Sequence, residues 1–178
     1  MLYLFGFRKV GVAVSDLFFV DPEPGPGQEG AEHGVRLEVR VLDQPEIDGS
    51  IYASRPIVVD RPIWRADLLE SLSGEPGSHD RTHHHPSMRG WEPGSRQYDR
   101  AMSDAPVEWV GRRLSDLPKL LEEAEVDPGM VDPEDAEELR RAVPEILDAV
   151  NRLLAAVREG SAAVPPPEPV AAARTGWL

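Results

Sequence analysis

The segment from Ser78 to Glu92 concentrates the side chains best suited to chemistry, because it holds four of the five histidines of the chain. The chain has no cysteine, so imidazole and carboxylate groups are the ligands it can offer to zinc, iron or manganese. Pro86 favours an extended backbone at the residue before it. In an extended run, His83 and His85 point to one side and His84 points to the other.

This segment is open to three interpretations. In the first, His79 or Asp80 joins His83 and His85 in a three-ligand metal site, whose open position would hold a nucleophilic water for a hydrolase or oxygenase. In the second, the segment binds a ligand or a protein without metal. In the third, its side chains only hydrogen-bond the backbone of a packed loop. The spacing matches no established metal motif, so the sequence alone does not decide between them.

A second group of capable side chains lies at Arg61, Trp64, Arg65 and Asp67. Arginine and tryptophan together can clamp a planar or anionic ligand. The alternative is a buried Trp64 that plugs the edge of a sheet, with Arg65 and Asp67 forming a local ion pair. A non-catalytic binding protein would use five residues of the two groups: Arg61, Trp64, His83, His85 and Trp91.

No motif of an established enzyme class occurs in the chain. The glycine-rich phosphate loops GxGxxG and GxxxxGK[ST] are absent, and so are GxSxG and HExxH. The net charge of −13 disfavours binding to nucleic acids and to anionic membranes. It favours basic proteins or metal cations as partners, and it also permits an acidic inhibitor that mimics nucleic acid.

The apolar N-terminus is predicted to be a β-strand. Arg8 and Lys9 divide this segment, and no basic stretch precedes its apolar run, as a signal peptide would require. A membrane helix would need a longer uninterrupted apolar run. Together with the lack of cysteine, this favours a cytoplasmic protein.

The first third of the chain is predicted to form an antiparallel sheet over residues 2 to 64. Apolar and charged residues alternate from Val35 to Val41, which is typical of a strand with one buried face. Val10 to Val20 predicts a longer strand, and the proline and glycine residues after it predict a loop. A third strand is predicted at residues 51–54 and 57–59. A short helix is predicted over Arg65 to Leu72.

The last third predicts an α-hairpin over residues 115 to 159 that covers one face of the sheet. Ser115 and Asp132 are suitable N-caps, and Gly160 is a natural end for the second helix. The second helix carries an apolar stripe with spacings of four and three residues, made of Leu139, Val143, Ile146, Val150, Leu153 and Val157. The fold class is therefore α+β, with an irregular histidine-rich segment between sheet and helices.

The chain is expected to form one domain over residues 1–160, with a flexible tail over residues 161–178. The tail is rich in proline and alanine, and it carries the bulky residues Trp177 and Leu178 beside Arg174. A flexible arm with an aromatic anchor is typical of a short docking peptide for another protein. Folding back and disorder are the alternatives. The oligomeric state stays open.

Four stretches resemble an uncharacterised family of actinobacterial domains over roughly residues 8 to 125. They run from Val35 to Arg40, from Val59 to Leu69, from Asp80 to Pro86 and from Gly90 to Pro93. The family has no known activity, so the resemblance implies no catalytic residues.

Overall fold

A five-stranded antiparallel sheet forms the N-terminal part of the protein. The computed structural model describes residues 1–166. The strands of the sheet follow chain order and are β1 (Leu2–Gly6), β2 (Val10–Val20), β3 (Ala31–Asp43), β4 (Val58–Ser71) and β5 (His83–His85). A small hairpin of β6 (Met88–Arg89) and β7 (Glu92–Pro93) follows. The helices are α1 (Arg100–Asp104), α2 (Pro106–Leu114), α3 (Leu117–Glu123) and α4 (Asp135–Arg158), with a 3-10 turn at Pro128–Met130. The predicted α+β class with an N-terminal antiparallel sheet is confirmed.

The alternation in β3 assigns the two faces of the sheet. Val35, Leu37 and Val39 are fully buried under the helices, as predicted. Arg36 and Glu38 lie on the opposite face, where they stand beside Asp67 and Arg65 of β4. The buried apolar face therefore holds the sheet against the helices, and the second face collects charged side chains.

The predicted third strand is right only at Val58 and Val59, and the predicted helix after it is wrong. Residues 51–53 form a turn in which Ile51 is 89% exposed, and the chain from Val58 to Ser71 is one continuous strand. Leu68 and Leu69 are both buried, although neighbours on a strand point to opposite faces. This end of the sheet is covered on both faces, so both faces of the strand carry apolar residues. The resulting run of consecutive apolar residues resembles the apolar stripe of a helix, which explains the wrong prediction.

The apolar stripe of α4 is confirmed. All six predicted stripe residues are buried, and the helix packs on β2, β3 and α2. The helix runs without interruption through Pro144, and Gly160 follows its end with a φ of +70°. The core thus lies between this helix and the sheet.

Two short helices, α1 and α2, precede the predicted hairpin and were not predicted. Ser115 ends α2 rather than beginning a helix, and Asp116 caps α3 by accepting the N–H of Lys119. Asp132 lies before α4 and accepts the N–H of Glu134. The two omitted helices have only five and nine residues, so each shows too few turns for a recognisable period.

The segment directly after α4 packs on the body of the protein through Ala163. The buried Ala163 donates its backbone N–H to Asp16 on β2 at 2.8 Å. The predicted docking residues Arg174, Trp177 and Leu178 lie outside residues 1–166. Among the described helices, none combines the length and apolar character needed to cross a membrane.

Candidate metal centre

The pairing of β4 with β5 brings a carboxylate next to two imidazoles. Asp67 stands directly opposite His83 across the two strands, and Arg65 stands opposite His85. Both histidines lie on the face of the sheet away from the helices. His84 points the other way, and its ring lies 4.9 Å from that of Trp109. The predicted alternation of the three histidines is therefore present, and it is strand geometry that produces it.

The three side chains form a tight and buried cluster. One ligand atom from each of Asp67, His83 and His85 lies within 4.8 Å of the other two. The Oδ2 atom of Asp67 is 3.5 Å from Nε2 of His83 and 3.8 Å from Nε2 of His85. None of the three side chains is more than 3% exposed. They lie close enough together to hold a metal ion.

Backbone carbonyl groups set the tautomer of both histidines. The Nδ1 atom of His83 is 2.8 Å from the carbonyl oxygen of Arg81, and that of His85 is 2.7 Å from the carbonyl oxygen of Gly94. A carbonyl oxygen can only accept, so each Nδ1 carries the hydrogen. Each Nε2 therefore presents a lone pair towards Asp67. Metal-binding histidines are commonly oriented in this way by a second hydrogen bond.

Two arginines keep the carboxylate ionised, and burial keeps the imidazoles neutral. Burial by itself would raise the pKa of Asp67, but Arg36 and Arg65 outweigh burial and the pKa lies below its ordinary value. Arg36 donates to Asp67 from Nε at 2.7 Å and from Nη2 at 3.2 Å. Burial lowers the pKa of His83, and it lowers the pKa of His85 to about 4. All three ligand atoms are thus in the protonation state that metal binding needs.

Arg65 contacts two of the three candidate ligand atoms. Its Nε lies 3.1 Å from Oδ2 of Asp67, and its Nη2 lies 3.0 Å from Nε2 of His85. Since Nε2 of His85 has a lone pair, the guanidinium group donates to it. A metal ion at this position would have to displace the Arg65 side chain.

The structure does not bring His79 and Asp80 into the cluster. Asp80 accepts hydrogen bonds from the backbone N–H and the hydroxyl of Ser71, at 2.9 and 2.8 Å. Nε2 of His79 lies 3.4 Å from the guanidinium of Arg158 on α4. Asp67 supplies the carboxylate instead. Sequence reasoning missed this role because it placed Asp67 on a helix, whereas a strand would have paired it with the histidines.

The five residues predicted to bind a ligand do not share one surface. Trp64 is fully buried on the helix-covered face, where its ring stacks on that of Trp109 with centroids 6.1 Å apart. His83 and His85 lie on the opposite face. Trp91 is 63% exposed, and the guanidinium of Arg40 lies over its ring. Arg61 contacts the sulfur of Met130 at 3.8 Å.

Two loops cover the cluster on its outer side. The ring of Tyr98 lies 5.7 Å from that of His83, and its hydroxyl accepts a hydrogen bond from Gln28. Arg96 pairs with Asp21 at 3.2 Å, which ties the loop after β2 to the segment before α1. The burial of the histidines thus depends on contacts between segments far apart in the chain.

Comparisons with protein families, with curated proteins and with solved structures found no match. The resemblance to an actinobacterial family stays a prediction. A proposal about function therefore rests on the geometry of the cluster.

Proposed function

We propose that this protein binds one divalent transition-metal ion through Oδ2 of Asp67 and Nε2 of His83 and His85. The observation that carries the proposal is the convergence of these three atoms within 4.8 Å on two paired strands. Carbonyl groups hold both histidines in the tautomer that presents Nε2 to a metal. Two imidazoles and one carboxylate suit zinc, iron and manganese, with zinc favoured over the other two by the general order of affinities.

The metal would serve a non-catalytic, binding function. Side chains that are at most 3% exposed leave a substrate no direct access to the ion. An ion at this position would join β4 to the short strand β5, which has only three residues of its own. A hydrolase or oxygenase would need the cover formed by Arg96 and Tyr98 to open.

The two arginines determine how tightly the ion is held. Two like unit charges about 4 Å apart repel each other by about 4 kcal/mol at an effective dielectric constant of about 20. A guanidinium group at this distance therefore strongly weakens the binding of a divalent cation. Arg65 therefore has to move away when the metal enters. Glu38 stands directly opposite Arg65 on β3, and its carboxylate, which already pairs with Arg40, would be shared with the displaced side chain.

Titration of untagged, metal-free protein with Zn²⁺ and Co²⁺ tests the proposal, using calorimetry and the visible absorption of Co²⁺. We expect one ion per chain. We expect H83Q and H85Q each to weaken binding at least tenfold, because each removes a ligand. H79Q is the matched control and should bind like the unchanged protein.

The R65Q variant gives a second and independent readout. It removes the guanidinium that contacts both Asp67 and His85, so we expect it to bind Zn²⁺ more tightly. Absence of saturable binding in both the unchanged protein and R65Q would overturn the proposal. Equal losses in H79Q and H83Q would also overturn it, since the ion would then lie elsewhere.

A further inference from the structure

A cleft of about 340 Å³ opens between α2 and α3, away from the metal-binding cluster. Its size falls in the range of about 300–1,000 Å³ that is typical of small-molecule sites. Its lining consists of Ala101, Trp109, Arg112, Arg113, Asp116, Lys119 and Leu120. Arg112, Arg113 and Lys119 are positively charged, whereas the chain as a whole has a net charge of −13. The cleft therefore gathers positive charge on an acidic protein.

One wall of the cleft is rigid. The guanidinium of Arg113 lies 4.7 Å from the centroid of the Trp109 ring and also pairs with Glu123. The indole N–H of Trp109 is donated to Asp99 at 2.9 Å, which fixes the ring. These contacts hold a cationic and aromatic surface in place before any ligand arrives.

The other two cationic side chains are free to bind. Arg112 and Lys119 are exposed, and neither takes part in an ion pair within residues 1–166. The carboxylate of Asp116 accepts the backbone N–H of Lys119 at 3.3 Å, so it serves as the cap of α3. An anion between Arg112 and Lys119 would relieve the repulsion between two like charges that line one cleft.

We propose that this cleft binds a small oxyanion, the phosphate or carboxylate group of a small molecule. Arg112 donates two N–H groups of its planar guanidinium to two oxygens of the ligand, and Lys119 contributes a point charge. Arg113 and Trp109 form the wall against which the ligand packs. This site shares no residue with the metal-binding cluster, so the two proposals stand or fall separately.

The test follows the indole N–H signal of Trp109 by NMR in the full-length protein. Inorganic phosphate and succinate are titrated separately, with sodium chloride at matched ionic strength as the reference. We expect a saturable shift with one or both anions, and the anion that binds more tightly identifies the ligand group. R112Q and K119Q should each raise the dissociation constant at least fivefold.

R141Q is the matched control, because it removes an exposed arginine of α4 outside the cleft. It should leave the dissociation constant unchanged. Shifts that sodium chloride reproduces, or that are equal in R112Q, K119Q and R141Q, would overturn the proposal. So would the absence of a saturable shift with both anions. Repeating the titration in the H83Q variant should change nothing, which separates this site from the metal-binding cluster.

Discussion

Replacing Asp67 by asparagine tests the charge network that joins β3, β4 and the edge strand β5. The side chain keeps its shape but loses the negative charge that Arg36 and Arg65 share. Asp67 is only 1% exposed, whereas the side chains of Arg36 and Arg65 are 27% and 13% exposed. The variant leaves two positive charges close together and without their buried partner. We expect strong destabilisation.

The size of the expected loss in the free energy of unfolding follows from how deeply the two arginines are buried. Breaking a buried ion pair by removing one partner costs about 3–5 kcal/mol, because the remaining charge is left uncompensated. Arg36 retains some contact with water, and this places the expected loss near the lower end, at about 3 kcal/mol. For a chain of this size, each kcal/mol lowers the melting temperature by about 2–4 °C, so the expected decrease is about 6–12 °C.

Urea unfolding followed by tryptophan fluorescence measures this loss. Trp64 is fully buried and Trp109 nearly so, so their emission reports the loss of the core. D60N is the matched control, because Asp60 is an exposed carboxylate on the same strand. It should change the free energy of unfolding by no more than about 0.5 kcal/mol.

A loss below about 1 kcal/mol in D67N would refute the reasoning, since ordinary single substitutions already cost that much. Stabilisation would refute it more directly. It would mean that the cost of burying the carboxylate exceeds its attraction to the two arginines.

Three further predictions concern the core, Asp99 at the N-cap of α1, and the metal. V39D should lower the free energy of unfolding by more than about 4 kcal/mol, because it puts an unpaired charge in the core. E38Q, on the opposite face, should change it little. Equal losses of melting temperature in the two variants would contradict the assignment of the two faces. The hydrogen bond from Trp109 holds the pKa of Asp99 below the ordinary value of an aspartate, 3.8. The stability that this carboxylate contributes is therefore present above pH 3.8 and is lost as the pH falls through its lower pKa in the folded protein. On acidification, the free energy of unfolding of D99N should therefore decline less than that of the unchanged protein. Zn²⁺ at 100 times its dissociation constant should stabilise the protein by about 2.7 kcal/mol, and EDTA should abolish the resulting rise in melting temperature.

Local sequence patterns determined much of the secondary structure. The alternation from Val35 to Val41 was sufficient to identify a strand and its buried face, because strand side chains point alternately to the two faces. The stripe of α4 was sufficient to identify a long helix. The same alternation predicted that His83 and His85 point away from His84. Each of these features depends on residues only a few positions apart in the chain.

Tertiary structure decided the partner of the two histidines. Asp67 lies sixteen positions before His83, and only the antiparallel register of β4 and β5 places them opposite one another. Before pairing is known, the nearer His79 and Asp80 are equally plausible ligands by spacing. The neutrality of the histidines likewise depends on burial under Tyr98 and its neighbours. Register and burial are properties of the packed sheet, because both depend on contacts between residues that no local pattern connects.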